Sequence, residues 1–279
     1  MPSFSAADGT LLAYHETGTG DPLICLPGGP MQASECLDDL GGLTAHRSLV
    51  MLDLRGTGQS DEPVDPTSYR CDRQVDDVEA LRQHLGLDQI DLLGHSAGGS
   101  LAVLYAARHP DRVCHLVLIT PSPLVVGLEV SEADRRELAE LRRGEPWFPD
   151  AFAAFERIWS GNAADGDWPG IRPFIYGRWD TETHAYVARG ESLKNTDAAA
   201  VYYADGALAP EATRSAIAEL EARVLLVAGE YDVALPPKRA AEYAGLFRQA
   251  ELAVQPASGH NPWRDDPAWF TQTLAAFLR

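Results

Sequence analysis

Short apolar runs bounded by turn residues divide this 279-residue chain into alternating strand and helix patterns. Runs of this length that are rich in valine, leucine and isoleucine are typical of strands in a buried sheet. The first two runs flank Asp8-Gly9, a strong hairpin signal, so we expect the sheet to begin antiparallel and to continue parallel. Strands are predicted at 3–6, 11–15, 22–26, 48–52, 89–94, 113–119, 223–228 and 251–255.

Between these strands, apolar residues recur at spacings of three and four, which is the pattern of one buried helical face. Val75, Val78 and Leu81 form such a face, and the segment 97–108 follows a strand directly and stops before Pro110. Alternating strands and helices imply an α/β fold with a mostly parallel sheet and helices on both faces. Helices are predicted at 72–84, 97–108, 236–247 and 267–278.

The alternation stops after residue 120, and a stretch of about a hundred residues carries helical patterns instead, among them 131–143 and 150–159. We interpret 121–220 as a helical cap inserted into a core domain formed by 1–120 and 221–279. Two roles are open for its aromatic residues: packing as the cap's own core, or closing over the edge of the sheet. These aromatics, twelve of the 23 in the chain, are Trp147, Phe148, Phe152, Phe155, Trp159, Trp168, Phe174, Tyr176, Trp179, Tyr186, Tyr202 and Tyr203.

Composition and charge narrow the classes of function. With 45% hydrophobic residues the chain can bury a core, and it contains no run of about 18 apolar residues that would cross a membrane. A net charge of −18 repels phosphate backbones and anionic lipids, so neither nucleic acid nor a membrane is an expected partner. The first residues lack the basic-then-apolar layout of a signal peptide, which favours a cytoplasmic protein.

The four cysteines form no CxxC pair, so disulfides are not expected. Cys25 and Cys114 lie in predicted strands and are expected to be buried thiols. The chain contains no HExxH segment and no cluster of cysteine and histidine. We therefore expect a protein that works without a metal or a cofactor.

The segment Gly94-His95-Ser96-Ala97-Gly98 carries the strongest chemical signal. It matches G-x-S-x-G where a predicted strand turns into a predicted helix, the context in which this motif presents a nucleophile. Glycines two positions before and two after the serine remove side chains that would collide at so sharp a turn. Ser96 is therefore the predicted nucleophile, with the N-terminus of the following helix behind it.

The base and the acid that a serine nucleophile needs are expected on loops at the same edge of the sheet. His260 follows the last predicted strand, and the carboxyl ends of parallel strands meet at one edge, so this histidine can reach Ser96. Asp232 comes directly after the strand at 223–228 and is the predicted acid. Glu230 is the competing acid on the same loop.

An oxyanion hole would complete this arrangement. One donor is expected to be the backbone N–H of Ala97, the residue after the nucleophile. The other is expected from the glycine pair in the loop at 26–30, where the backbone can approach a reacting carbonyl closely, and Gly29 is the predicted donor.

These motifs and the chain order serine, aspartate, histidine resemble the α/β-hydrolase superfamily over essentially the whole chain. Leu-Pro-Gly-Gly-Pro at 26–30 resembles the His-Gly-Gly-Pro-Gly loop of proline iminopeptidases, and Asp-Leu-Arg-Gly-Thr-Gly-Gln-Ser at 53–60 resembles their Asp-Gln-Arg-Gly-x-Gly-x-Ser turn. The resemblance implies an α/β-hydrolase fold, with an eight-stranded, mostly parallel sheet and an inserted helical cap. Asp53 and Arg55 are expected to brace the glycine turn.

The chain departs from the proline iminopeptidase-like branch in three respects. Pro27 stands where that branch has histidine, and the serine motif reads Gly-His-Ser-Ala-Gly where the peptidases carry Gly-Gly-Ser-Trp-Gly. Those enzymes also use cap glutamates to bind the substrate's ammonium group. Glu182, Glu191 and Glu211 are available here, and their spacing singles out none of them.

The sequence thus predicts a serine hydrolase, of aminopeptidase or esterase type, that cleaves an ester or amide in a small molecule or short peptide. Proline iminopeptidase-like cleavage, carboxylester hydrolysis and hydrolysis of a carbon–carbon bond are all open as activities. A different class is also open, namely a slow-turnover receptor for a small ligand, because fold does not determine function. The sequence leaves the oligomeric state open.

Overall fold

The computed structural model describes residues 2–279 of the chain. Eight strands are present in that range: β1 Ser3–Ser5, β2 Leu11–Gly18, β3 Pro22–Leu26, β4 Ser48–Leu52, β5 Ile90–His95, β6 Val113–Ile119, β7 Arg223–Gly229 and β8 Ala250–Gln255. They form one sheet in the order β1-β2-β4-β3-β5-β6-β7-β8. β2 pairs antiparallel with β1 and β4, whereas every other pair is parallel. The predicted eight-stranded, mostly parallel sheet with an antiparallel start is confirmed.

Helices connect the strands, as the spacing of apolar residues predicts. The α-helices within residues 2–279 are α1 Val75–His84, α2 Ala97–Arg108, α3 Glu132–Glu140, α4 Phe148–Trp159, α5 Asp167–Gly170, α6 Thr181–Ser192, α7 Thr196–Tyr202, α8 Pro210–Ala218, α9 Pro237–Ala244, α10 Pro262–Asp265 and α11 Pro267–Phe277. Short 3₁₀ helices occur at Ser34–Leu37, Leu43–Ala45, Pro66–Tyr69, Pro110–Arg112, Pro123–Val126 and Arg172–Phe174. None of the helices described is long and apolar enough to span a membrane.

Alternate residues of each strand face opposite sides of the sheet, which creates two helix layers. In β3, Ile24 and Leu26 join a buried cluster with residues of α1 and α2. Leu23 and Cys25 face the other way and join a cluster with residues of α11. The predicted placement of helices on both faces is therefore confirmed.

The chain between β6 and β7 contains α3 to α8 and, throughout residues 120–222, no strand. Phe148, Phe155 and Phe174 pack there in an apolar cluster of their own. Tyr202 instead joins the main core beside α2. Six of the twelve aromatics therefore pack as a core of this segment, the first of the two roles left open by the sequence: Trp147, Phe148, Phe152, Phe155, Trp159 and Phe174.

This segment contacts the rest of the molecule beside the loop that follows β3. Gln32 and Lys194 form an isolated antiparallel bridge. Helices thus occupy the region predicted as a cap, while the division into a core of 1–120 and 221–279 and a cap of 121–220 stays a prediction.

One expectation about the cysteines is wrong. All four thiols are free, and Cys25 is buried as expected, but Cys114 is exposed. Cys114 is the second residue of β6, and its side chain is left uncovered although the residue before it, Val113, is buried in the main core. From Leu116 onward β6 is buried. An apolar run therefore predicts the strand correctly and overestimates how much of it is covered.

A buried ion pair fixes the glycine turn that follows β4. Arg55 Nε and Nη2 donate to the two carboxylate oxygens of Asp77 in α1, at 2.8 and 2.5 Å. Asp53 accepts hydrogen bonds from the N–H and hydroxyl of Ser34 and from the N–H of Gln59. The expected bracing role of Asp53 and Arg55 is confirmed. Burial raises the pKa of the Asp77 carboxyl, and the Arg55 guanidinium opposes that rise.

Replacing Arg55 by methionine should lower the free energy of unfolding by about 3–5 kcal/mol, because Asp77 would remain as an uncompensated buried charge. Urea denaturation measures this loss. The double variant Arg55→Met/Asp77→Leu should recover most of it. The exposed pair Arg112–Asp88 gives the matched control, and Arg112→Met should change stability by less than about 1 kcal/mol. Equal losses in the two single variants would contradict a special role for the buried pair.

Candidate active site

Ser96 occupies a sharp corner between β5 and α2. Its backbone has φ 51° and ψ −115°, a conformation that residues with a side chain rarely adopt. A Cβ atom at Gly94 would lie 2.5 Å from the Gly98 carbonyl oxygen. A Cβ atom at Gly98 would overlap the carbonyl oxygens of Leu26 and Pro27. The two glycines therefore allow the strand, the helix and the loop after β3 to meet around Ser96.

Backbone hydrogen bonds hold this corner in place. The Ser96 N–H donates to the carbonyl oxygen of Ile119, the last residue of β6, at 3.0 Å. The Ser96 carbonyl oxygen accepts from the N–H of Ser122, also at 3.0 Å. The end of β6 and the loop after it thus fix the backbone of Ser96 on both sides.

The two predicted oxyanion donors lie on either side of Ser96. Ala97 is the first residue of α2, so its N–H belongs to the N-terminus of that helix. On the other side, a Cβ atom at Gly28 would lie 3.0 Å from Ser96 Cβ, which shows how closely this loop approaches. Gly29 follows with φ 118° and lines a cavity together with Ser96. The loop and the helix end therefore flank the serine.

His260 and Asp232 form a hydrogen-bonded pair. His260 Nδ1 lies 2.8 Å from Asp232 Oδ2, and Asp232 is fully buried. The other carboxylate oxygen of Asp232 accepts from the N–H of Ala234 at 2.8 Å. Glu230 instead accepts from the N–H of Ala257 at 2.7 Å. Of the two acids on this loop, Asp232 is thus the one that contacts the histidine.

Three contacts hold the His260 backbone. Its N–H donates to the Ile175 carbonyl oxygen at 2.7 Å. Its carbonyl oxygen accepts from the Thr120 hydroxyl at 2.8 Å and lies 3.0 Å from His95 Nε2. Because a carbonyl oxygen only accepts, His95 Nε2 carries the proton of that ring. Burial, together with the charge of the neighbouring His260, lowers the pKa of His95 to about 3, so His95 stays neutral.

Sequence reasoning missed these supporting residues. His95 appeared only as a member of the serine motif, without a role of its own. A second omission is Asp265, whose carboxylate accepts from the N–H of Gly259 at 2.9 Å and lies 3.2 Å from the Ser258 hydroxyl. The only sequence feature that could have pointed to them is their position, since His95 directly precedes Ser96 and Asp265 lies shortly after His260.

Ser96 and His260 together line two cavities, so both residues stand where the cavities meet. The first has a volume of about 310 Å³, and its walls include Gly29, Tyr176 and Tyr186. The second has a volume of about 270 Å³ and lies toward the loop after β6. Tyr176 and Tyr186 are therefore aromatic residues of the segment between β6 and β7 that do close over the site, the second of the two roles left open.

The three candidate glutamates differ in their surroundings. Glu191 lines the first cavity, where it forms an ion pair with Arg172. Glu182 is paired with Arg264 at 3.2 Å. Glu211 lies in the first turn of α8 and lines neither of the two cavities. Within residues 2–279, therefore, no unpaired carboxylate from this set faces Ser96.

One group of potential metal ligands lies elsewhere in the part of the chain described. Ligand atoms of Asp91, Cys114 and His115 lie within 4.8 Å of one another. Asp91 already forms an ion pair with Arg47 and a 2.8 Å contact with His115 Nδ1. These residues stand near the beginnings of β5 and β6, whereas Ser96 follows the end of β5. The cluster is thus separate from the site.

Comparison with known proteins identifies the family. The model of the alpha/beta hydrolase fold matches residues 21–267. A proline iminopeptidase of Heyndrickxia coagulans is 25% identical over 95% of this chain and 93% of its own length. A 2-hydroxymuconate semialdehyde hydrolase of Pseudomonas sp. (strain CF600) is 28% identical over 98% of this chain and 92% of its own.

Solved structures agree on the architecture. An esterase from Exiguobacterium antarcticum superposes with a TM-score of 0.74 at 22% identity, over 99% of this chain and 98% of its own. At that identity the likeness concerns the fold alone. Because the family model covers most of the chain and agrees with the observed sheet, this protein belongs to the alpha/beta hydrolase fold family and is a hydrolase.

Proposed function

We propose that this protein is a serine hydrolase that cleaves small esters or amides through an acyl-enzyme intermediate. The observation that carries the proposal is the 2.8 Å contact between His260 Nδ1 and the buried Asp232. The same histidine lines both of the cavities that Ser96 lines. A serine hydroxyl is a weak nucleophile unless a base takes its proton and a third group orients that base. In this proposal Ser96, His260 and Asp232 have these three roles.

The first half of the reaction forms the acyl-enzyme. Ser96 Oγ attacks the substrate carbonyl carbon while His260 Nε2 accepts the hydroxyl proton. Asp232 accepts the Nδ1–H hydrogen bond, so it selects the tautomer with a free Nε2 and stabilises the imidazolium ion that forms. His260 then gives its proton to the leaving alcohol or amine, and the bond between the acyl group and the leaving group breaks.

The negative charge on the substrate oxygen needs stabilisation during this step. The N–H groups of Gly29 and Ala97 are the proposed donors, and the N-terminus of α2 adds a favourable dipole. One such donor typically contributes about 3–4 kcal/mol to the transition state. In the second half, His260 activates a water molecule that attacks the acyl carbon and releases Ser96.

Charge in the site favours esters over peptides with a free amino end. Recognition of an ammonium group requires a carboxylate that is free to bind it. Glu191 lines the first cavity, but its carboxylate is engaged by Arg172. Glu182 is likewise engaged by Arg264. We therefore place carboxylester hydrolysis ahead of proline iminopeptidase-like cleavage, although a proline iminopeptidase is among the similar proteins.

The variant Ser96→Ala should lose both turnover of 4-nitrophenyl acetate and covalent labelling by a fluorophosphonate probe, because the hydroxyl that attacks is removed. Ser122→Ala is the matched control, since Ser122 lines the second cavity and should leave the label in place. Labelling of Ser96→Ala at another residue would contradict the assignment. A single stoichiometric burst from the unmodified protein, without further turnover, would favour the receptor alternative.

The variant Asp232→Asn should lower kcat by about 10⁴-fold with a smaller change in KM, as it does in serine proteases, because the amide favours the wrong histidine tautomer. Steady-state kinetics on the same ester measure the effect. Glu230→Gln is the control on the same loop and should leave kcat within a few-fold of the unmodified enzyme. The reverse ranking of the two variants would assign the acid to Glu230.

A further inference from the structure

Arg135 lies beside Ser96, although no motif in the sequence points to it. It belongs to the first turn of α3 in the segment between β6 and β7. Its side chain lines the second cavity together with Ser96 and His260. Ser122 is a further polar residue of the walls. The remaining wall residues are small or apolar: Pro121, Pro123, Leu124 and Ala234. Arg135 therefore provides the fixed positive charge in this cavity.

The start of α3 is firmly positioned, and this determines where Arg135 points. Ser131 and Asp134 form a reciprocal capping box at the N-terminus of the helix. Asp134 also accepts from Arg239 of α9 at 2.9 Å. Arg135 Nη1 donates to the carbonyl oxygen of Val233, the residue after the proposed catalytic acid. The guanidinium thus lies against the loop that carries Asp232.

Arg135 differs from most arginines around it. Between β6 and β7 there are nine arginines, and seven have a carboxylate within 4.0 Å. Arg214 lacks one but donates to the carbonyl oxygens of Val126 and Gly127. Within residues 2–279, Arg135 makes a single side-chain hydrogen bond and no ion pair. Most of its five N–H donors are therefore free to bind a ligand.

Asp232 does not serve as the ion-pair partner of Arg135. One Asp232 oxygen is bonded to His260 and the other to the Ala234 N–H. Burial lowers the pKa of Arg135, and the negative charge of Asp232 only partly opposes this. The guanidinium also lies 5.9 Å from the centre of the Trp159 ring, a contact that leaves its charge without a counter-ion. A partly buried cation without a counter-ion is unfavourable, and an anion that fills the cavity would remove that penalty.

The balance of charge around Ser96 opposes that of the whole chain. The chain carries a net charge of −18, yet the two cavities are lined by Arg135, Arg172 and Lys194. Among residues 2–279, Glu191 is the sole carboxylate in those walls, and Arg172 neutralises it. Even with the buried Asp232 behind His260 counted, positive charges outnumber negative ones here, which favours an anionic ligand at this place.

We infer that the substrate carries a carboxylate, and that the second cavity binds this group through Arg135 while Ser96 attacks an ester carbonyl on the same molecule. This inference rests on the serine-hydrolase function proposed above. A guanidinium can bind both oxygens of a carboxylate through parallel N–H donors. A cavity of about 270 Å³ suits a short chain, so the substrate class is the half-ester of a short dicarboxylic acid.

Binding to the Ser96→Ala variant tests the inference without turnover. Calorimetry should show that the monomethyl esters of glutarate, adipate or pimelate bind more tightly than the corresponding dimethyl esters. Adding Arg135→Gln should weaken binding of the best half-ester by about 10- to 100-fold and leave the dimethyl ester unchanged, because a hydrogen-bonded charge is lost. Arg136→Gln is the matched control: Arg136 is the next residue of α3, pairs with Glu132 and Glu156, and should change neither affinity.

Kinetics of the otherwise native enzyme give a second readout. The ratio of kcat/KM for 4-nitrophenyl hydrogen adipate to that for 4-nitrophenyl hexanoate should fall by about 10- to 100-fold in Arg135→Gln. Arg135→Glu should reverse the preference, so that 4-nitrophenyl 6-aminohexanoate becomes the better substrate. Each comparison uses the ratio of two kcat/KM values measured on the same variant. A lower fraction of folded protein affects both values equally and cancels in the ratio.

The outcomes separate the two proposals. Ser96-dependent turnover of 4-nitrophenyl hexanoate, with a ratio that Arg135 variants do not alter, would overturn the carboxylate inference and leave the serine hydrolase in place. Arg135-dependent binding of half-esters, without Ser96-dependent turnover, would support the anion site and refute the hydrolase. Equal affinity for half-esters and dimethyl esters would refute the anion site directly.

Discussion

The close contact of three backbone segments around Ser96 is the constraint on which the site depends. The end of β3, the end of β5 and the start of α2 approach so closely that neither Gly94 nor Gly98 has room for a Cβ atom. This contact is possible because β3 and β5 are adjacent parallel strands whose ends lie at the same level, with Leu26 paired opposite Gly94. A register shift between these strands would move the loop carrying Gly29 away from Ser96. The sheet thus determines the geometry of the proposed oxyanion hole.

Much of the sheet could be predicted because its central strands are buried on both faces and appear as continuous apolar runs. The limits of the elements were harder to predict. β2 continues to Gly18, beyond its predicted end at residue 15, since Glu16 and Thr17 pair with Val50 and Leu49 of β4. Polar residues that continue a strand through such pairing leave no trace in the hydrophobic pattern. The exposure of Cys114 has a related cause, because the sequence does not show which strand positions the helices leave uncovered.

The candidate site likewise has one part that the sequence predicts and another part that it does not. Local sequence around Ser96 is enough to predict the corner, and strand order is enough to bring Asp232 and His260 to the same edge. The contacts that support the histidine could not be predicted, since His95 and Thr120 reach its carbonyl oxygen only in the folded protein. Arg135 could be predicted even less than these contacts. It comes from a helix between β6 and β7, and what distinguishes it from the arginines of that segment is its place in the cavity wall together with the lack of a carboxylate partner.

The hydrogen bond from the His260 N–H to the Ile175 carbonyl oxygen links the proposed base to the helical segment between β6 and β7. A segment that only shaped the entrance could be exchanged between relatives without effect on the chemistry. Here an exchange that changed the backbone conformation at Ile175 would also remove a hydrogen bond that holds the His260 main chain. The backbone around residue 175 is therefore the part of this segment that has least freedom to vary if the proposed base is to keep its position.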